Sequence, residues 1–265
     1  TMIQRAQIKS SFQDILKDSD ALFYIGGLEP YMDLYVDDIR DTGVDMVDLA
    51  TKSAIYKFER YTSTTIDGVT AGTEGPYYEG EEFANLDTYD ADPMLWMDPV
   101  AMTSMASDIR DYLVQKYPQY KDIFDENYDA VELDLARLDA DFQAIPDGKM
   151  SISFVSMTPS FGNWQKSYGI KVYPVTLSKY GALPTSDQLA AIKKRIKSDH
   201  VRYIAIEQNL SEDMEKLQQQ LIDELALIPV NLNNLSSITS ADQKASKDYL
   251  TIMYDNLKAL ESIAS

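Results

Sequence analysis

Histidine and cysteine, which form most nitrogen and sulfur sites for zinc and the usual triad bases and thiol nucleophiles, are almost absent from this sequence. The 265 residues include one histidine, His200, and no cysteine. The absence of cysteine excludes disulfides, thiolate metal sites and cysteine nucleophiles. His200 ends the polar stretch that begins at Lys197, which is typical of a helix end. We therefore expect a surface histidine rather than the base of a catalytic triad.

Carboxylates are the abundant chemical groups, with 43 acidic residues against 24 basic ones and a formal net charge of -19. Such a surface repels phosphates, so nucleic acid is not an expected partner. Several of the acids fall in one stretch: Glu79, Glu81, Glu82, Asp87, Asp90 and Asp92. Their spacing does not match the EF-hand pattern, which favours a solvated acidic loop. No spacing selects a carboxylate pair for glycosidase-type chemistry, and we do not expect an enzyme.

The second half of the chain predicts alternating strands and helices. Strands are predicted at Ser151–Ser156, Ile170–Val175, Tyr203–Ile206 and Leu227–Leu232, and helices at Asp187–Lys197, Glu212–Leu225 and Asp248–Ile263. This alternation favours a mostly parallel sheet with helices on both faces. Ligands bind beyond the carboxyl ends of such strands, where Glu207 follows one of them.

The first half is less regular. The apolar run Ala21–Ile25 is closed by two glycines and predicts a buried strand, and Val44–Leu49 predicts a weaker one. Residues 61–92 have no clear period and predict a long loop. Asp98 followed by Pro99 is typical of a helix N-cap followed by a proline at the first helical position. A helix is therefore expected to begin at Pro99.

A long helix is predicted between the two halves. Apolar residues recur there at steps of three and four: Phe124, Tyr128, Val131, Leu135, Leu138 and Phe142. The unbroken stripe predicts one helix over residues 122–145. We therefore predict an α/β protein with an N-terminal lobe over 1–121, a bridging helix over 122–145 and a C-terminal lobe over 146–265.

Five segments resemble, in order, motifs of the zinc- and manganese-binding solute-binding proteins of ABC importers. They are Ser19–Pro30, Asp92–Pro99, Phe161–Gly169, Tyr203–Glu207 and Tyr249–Leu257. The second of these, DPMLWMDP, resembles the family's Asp-Pro-His-x-Trp-Leu-Asp-Pro motif. The resemblance covers nearly the whole chain.

The resemblance implies two lobes with mostly parallel sheets, joined by a long rigid helix. Relative to the family, the N-terminal lobe is expected to lack its opening strand-helix-strand unit. The implied function is the extracytoplasmic solute-binding component of an ABC importer of the metal-ion type, working with a membrane permease and an ATPase. It also implies a lipoprotein anchored at the cell surface, whose signal segment is not in this chain. The alternative is an adhesion or interaction module that keeps the fold without metal transport.

The resemblance further implies one metal ion in the cleft, held by three histidines plus a carboxylate or water. The corresponding positions of this sequence are Gln4, Met94, Thr158 (Met157 if a one-residue gap is allowed), Glu207, and Asp248 (or Lys247). Glu207 is the best surviving ligand position. Methionine and threonine are poor ligands for Zn²⁺, and thioethers favour Cu(I). We therefore expect a degenerate or altered site that takes a small ligand or ion, with weak binding of divalent metals and no assigned cofactor.

Overall fold

A small parallel sheet forms the start of the described chain. The computed structural model describes residues 8–30, 32–67 and 69–265. Helix α1 (Phe12–Lys17), strand β1 (Ala21–Tyr24), helix α2 (Met32–Asp41) and strand β2 (Asp45–Asp48) follow one another. Strands β1 and β2 pair in parallel, and both predicted strands are confirmed. The described residues of this sheet form two strands.

An antiparallel hairpin follows, where the sequence predicted an irregular loop. Strand β3 (Arg60–Ile66) pairs with strand β4 (Val69–Gly75) over their whole lengths. The prediction was wrong here because it read the Thr- and Gly-rich composition as loop, although β-branched residues flanking an Asp-Gly dipeptide are a strong hairpin signal. Lys166 anchors the hairpin through an ion pair with Glu74, 2.5 Å long, and its ammonium lies 5.4 Å from the centre of the Tyr61 ring.

Two helices connect the halves. Helix α3 (Pro99–Lys116) begins as predicted: the Asp98 carboxylate accepts hydrogen bonds from the backbone N–H groups of Val100 and Ala101. Helix α4 (Lys121–Asp147) is 27 residues long and confirms the predicted long helix, with Pro146 inside its last turn rather than beyond its end. Among the described residues, no helix is both long and apolar enough to cross a membrane.

The apolar stripe of α4 is buried along only part of its length. Leu135, Leu138 and Phe142 are almost fully buried, whereas Val131 is 47% exposed. The first half of the helix is held against α3 instead, where the Arg110 guanidinium lies 4.7 Å from the centre of the Tyr128 ring. The continuous stripe therefore predicts the helix correctly, but part of the stripe is exposed rather than buried.

A four-stranded parallel sheet organises the second half. Strands β5 (Ser153–Ser156), β6 (Lys171–Pro174), β7 (Tyr203–Ile206) and β8 (Ile228–Asn231) lie in the order β6-β5-β7-β8. All pairs are parallel, and each predicted strand is confirmed to within two residues. The helices of this half are α5 (Asn163–Tyr168), α6 (Ser186–Ser198), α7 (Glu212–Leu225), α8 (Ser240–Lys244) and α9 (Tyr249–Ser262).

Alternating side chains on the strands fill two separate cores. In β5, Phe154 packs on the side of α4, α5 and α9, and Val155 packs on the side of α6 and α7. This is the alternation expected of a strand that is covered on both faces. The indole of Trp96 contacts both of these cores and a third one against α3, so it joins the two halves of the chain.

Candidate ligand site

Glu207 lies just past the carboxyl end of β7, in the middle of the larger sheet. Its Oε1 accepts hydrogen bonds from the backbone N–H groups of Met157, at 2.6 Å, and Thr158, at 3.1 Å. Its Oε2 accepts from the Thr158 hydroxyl and, at 3.1 Å, from the Asn234 side-chain amide. A carboxylate has about four lone-pair sites, so the protein itself occupies all of them. Glu207 thus links the ends of β5, β7 and β8.

The Thr158 hydroxyl is fixed by its own neighbours. It has one proton, which it donates to Glu207, so the Ser160 hydroxyl at 2.7 Å must donate to it. The Ser156 hydroxyl donates to the Thr158 carbonyl at 2.7 Å. All four side chains are buried. The network is therefore closed, and a metal ion would have to break it before binding the carboxylate.

Burial sets the electrostatics of this carboxylate. Desolvation raises the pKa of Glu207 above its usual range, and the hydrogen bonds from Thr158, Asn234 and Met157 partly oppose that rise. No cation is among the causes of the shift. The buried carboxylate is thus stabilised by hydrogen-bond dipoles alone. Dipoles stabilise the charged form less than a neighbouring cation or a bound metal ion would.

The two methionines at the expected ligand positions belong to the core. Met94 and Met157 are both fully buried in the cluster that packs against α6 and α7. The Met94 segment is held by its backbone, whose N–H donates to Asp92 at 3.0 Å and whose carbonyl accepts from Asn163 at 3.0 Å.

The remaining expected positions do not join Glu207. Gln4 lies outside the described residues. Asp248 is exposed and caps α9, accepting hydrogen bonds from the backbone and hydroxyl of Thr251. These bonds lower the pKa of Asp248. Lys247 pairs with Asp255 at 2.7 Å, so it does not neutralise Glu207. The Asp248 carboxylate thus faces the backbone of its own helix, and its role as a cleft residue stays a prediction.

The burial of Asp92 contradicts the expectation of a solvated acidic loop at this position. Its side chain is buried, whereas Glu79 and Glu81 are exposed. Desolvation raises the pKa of Asp92 to about 7, and the hydrogen bond from the Met94 backbone partly opposes this rise. A Cβ atom at Gly162 would lie 2.1 Å from the Asp92 carboxylate, so only glycine fits beside it.

Asn234 is the part of the network that the sequence analysis missed. It follows β8 by three residues, and its side chain reaches Glu207 while its backbone carbonyl accepts from the Trp96 indole at 2.9 Å. A signal was present, because polar side chains just past parallel strands meet at one edge of the sheet. His200, by contrast, is exposed beyond the end of α6, as expected.

Within the described ranges, no group of three or more histidine, cysteine, aspartate or glutamate side chains is arranged to hold a metal ion. The geometry near Glu207 therefore combines a saturated carboxylate with methionine and hydroxyl side chains.

Comparison with known proteins identifies the family. The family model of the periplasmic zinc-uptake complex component A, ZnuA, matches residues 5–263. The chain belongs to the ZnuA family. The zinc-binding lipoprotein AdcA of Streptococcus pneumoniae is 31% identical over 189 residues, which are 71% of this chain and 36% of that protein. The chain thus spans about a third of the length of the AdcA relatives it matches.

Solved structures show the same fold. The Zn(II)-bound ZnuA-like domain of S. pneumoniae AdcA has a TM-score of 0.67 and 24% identity, over 99% of this chain and 86% of that one. A mutant structure of the laminin-binding adhesin Lmb from Streptococcus agalactiae has a TM-score of 0.75 and 19% identity, over 98% of this chain and 86% of that one. At these identities the likeness establishes the ZnuA-type α/β fold with its long helix.

Proposed function

We propose that the chain is the solute-binding component of an ABC importer of the metal-ion type, with an altered site that does not bind Zn²⁺ or Mn²⁺ tightly. The family supports the transport role, and the relatives named zinc-binding lipoproteins support an extracytoplasmic, membrane-anchored protein. The lobe boundaries predicted from the sequence, near residues 121 and 146, belong to the same proposal, with the ligand held between the lobes.

One observation supports the altered site above all others. The four hydrogen bonds accepted by Glu207 leave its carboxylate without a free lone pair. The neighbouring positions carry Met94 and Thr158 rather than imidazoles, and we propose that they replace the metal-binding histidines of the family. One engaged carboxylate cannot supply a four-coordinate zinc site.

Calorimetric titration with Zn²⁺ and Mn²⁺ at neutral pH tests the proposal that the site does not bind these ions tightly. We expect no submicromolar stoichiometric binding by the wild-type chain. A variant with Met94→His and Thr158→His supplies two imidazoles and removes one donor from Glu207, so it should gain stoichiometric Zn²⁺ binding. The matched control, Met94→Leu with Thr158→Ser, changes the same positions without adding a ligand and should not bind. Tight wild-type binding that Glu207→Gln abolishes would overturn the proposal.

The transport role has its own test. A permease and ATPase of the expected type, purified together in detergent or nanodiscs, should hydrolyse ATP faster when the chain is added. The same chain after thermal unfolding provides the control for specificity. No stimulation by a folded chain would contradict the transport role.

The alternative function is adhesion, and it is favoured by the structural likeness to the laminin-binding adhesin Lmb. Under that alternative the chain keeps the fold and binds an extracellular matrix protein. Surface plasmon resonance on immobilised laminin, with Lmb as the positive control, separates the two functions. Laminin binding without stimulation of the transporter would favour adhesion.

A further inference from the structure

Strand β1 of the small sheet has an open edge. It pairs with β2 on one side, and the described residues place no strand on its other side. The carbonyls of Asp20 and Tyr24 point towards β2, because they accept hydrogen bonds from backbone N–H groups of the β2 segment. Backbone groups alternate in direction along a strand, so those of Ala21 and Phe23 point away from β2. Two N–H and two C=O groups therefore line the open edge without a backbone partner among the described residues.

The side chains of β1 are apolar but only partly buried. The strand reads Ala-Leu-Phe-Tyr, and none of its four residues is buried. By contrast, the inner strand β5 of the larger sheet has three buried residues out of four. The other edge of the small sheet is β2, which carries Asp45 and Asp48 at its two ends, and such charges protect an edge from pairing. β1 has no such charge, so it has the composition of an inner strand at the position of an edge strand.

The helices near β1 make their ring contacts away from the outward backbone groups. Tyr112 of α3 packs edge-on against Phe23, with 5.5 Å between the ring centres, so α3 covers one face of the strand. Helix α1 packs against α2 through Phe12 and Tyr35, with 5.6 Å between the ring centres. In the described part of the chain, neither helix forms a backbone hydrogen bond with Ala21 or Phe23.

A second copy of β1 is complementary to this edge. In an antiparallel pair, two opposite residues exchange both hydrogen bonds only if both point to the shared edge. The register that uses every outward group of both strands puts Ala21 opposite Phe23 of the other copy, with Leu22 opposite itself on a two-fold axis. It makes four backbone hydrogen bonds and sets a small side chain beside a large one. Asp20 then lies opposite Tyr24, so no like charges face each other across the pair.

We propose that the open edge of β1 binds a second copy of the chain, through antiparallel pairing of the two β1 strands about Leu22. The product is a continuous four-stranded sheet in the order β2-β1-β1-β2, whose outer edges carry Asp45 and Asp48. A two-fold contact of this kind closes on itself and gives a dimer rather than a fibre. Each copy has a net charge of -19, so repulsion opposes the dimer and salt should strengthen it. The dimer does not depend on the proposed solute-binding function.

Sedimentation equilibrium of the whole chain tests the pairing. We expect the average mass to rise from 29.9 kDa towards twice that value as the protein and salt concentrations increase. Ala21→Pro removes an outward N–H at the first position of an edge strand, where proline is tolerated. By symmetry it deletes two of the four hydrogen bonds, so it should weaken the dimer by at least about tenfold. Ala21→Ser is the matched control, because it keeps the N–H, and it should dimerise like the wild type.

A disulfide measurement does not depend on how proline affects folding. The chain has no cysteine, so Leu22→Cys introduces a single thiol. In the proposed register the two copies of position 22 form a pair without direct hydrogen bonds, with Cα atoms about 4.5 Å apart, which a disulfide can bridge. Mild oxidation should therefore give a covalent dimer. Leu133→Cys, at an exposed position on α4, is the control and should form that product at least about tenfold more slowly.

Amide hydrogen exchange locates the contact. Protection of the Ala21 and Phe23 amides should rise with protein concentration, whereas protection of the Leu22 and Tyr24 amides, which point to β2, should not. Protection of Ala21 and Phe23 at every concentration would mean that the edge is covered within one chain, which would overturn the proposal. A mass of 29.9 kDa up to about 1 mM protein would overturn it too. So would equal dimerisation by folded Ala21→Pro, or oxidation of Leu22→Cys no faster than that of the control.

Discussion

Glu207 and Glu29 both follow a strand of a parallel sheet, and the protein surrounds the two carboxylates differently. Glu207 accepts four hydrogen bonds from three residues, whereas Oε2 of Glu29 is buried without a partner among the described residues. The same functional group therefore has every acceptor site filled beside one sheet, whereas one of its oxygens lacks a partner beside the other. A position beyond a strand of a parallel sheet therefore does not decide by itself whether a carboxylate has hydrogen-bond partners.

The largest expected effect comes from Glu207→Ala. It should lower the free energy of unfolding by about 3 to 5 kcal/mol, because several buried donors lose their acceptor at once. Urea unfolding followed by circular dichroism measures this, with Glu261→Ala as the exposed control. A decrease in unfolding free energy below about 1 kcal/mol would show that the hydrogen bonds to Glu207 contribute little to stability. It would contradict the structural role assigned to Glu207.

Asp92 provides an intermediate case, since it is buried with one hydrogen bond from the Met94 backbone. Its pKa of about 7 in the folded protein lies above the ordinary value of 3.8, so folding favours the neutral form. The stability it contributes is complete at acidic pH and is lost as pH rises through about 7. Wild type should therefore lose about 2 to 4 kcal/mol relative to Asp92→Asn between about pH 4 and pH 8.

Urea unfolding of both proteins across that pH range measures the difference. The subtraction removes the contributions of Glu207 and Glu29, whose pKa values are also raised. Parallel stability curves for wild type and Asp92→Asn would contradict the raised pKa of Asp92.

Asp248 shows what an exposed, well-bonded carboxylate contributes. Asp248→Ala should lower the free energy of unfolding by about 1 kcal/mol, the usual effect of losing a helix N-cap. Asp248→Asn, which can still cap, should retain most of that stability. Any affinity for Zn²⁺ should be the same in all three proteins, and a change in it would return Asp248 to the ligand site.

The smallest effect is expected at Glu29. Glu29→Gln should raise the free energy of unfolding by up to about 1 kcal/mol at neutral pH, because a partly desolvated charge is removed. The gain is small because the side chain is partly exposed and solvent already screens the charge. Thermal and urea unfolding measure the change against Glu261→Gln. A clear destabilisation would mean that Glu29 has a structural partner, which would make it resemble Glu207.

Prediction from the sequence worked where the signal was local. The strand at Tyr203–Ile206 is bounded as predicted, and the Asp98 cap forms as its sequence indicates. The hairpin of β3 and β4 was missed although its Asp-Gly signal was local too, since composition was given more weight than the dipeptide. The site was harder: Glu207 lies at the expected strand end, but nothing near it in sequence reveals its donors.

By itself the sequence determined the alternation of strands and helices, the long helix Lys121–Asp147 and the scarcity of histidine and cysteine ligands. These depend on periodicity over a few turns or on composition. Tertiary structure alone decided which carboxylates are free. Met157 and Asn234 reach Glu207 from 50 and 27 positions away, whereas Asp248 turns to a backbone N–H three positions along. Hydrogen bonds over such separations depend on how strands are ordered in the sheet, which local patterns do not specify.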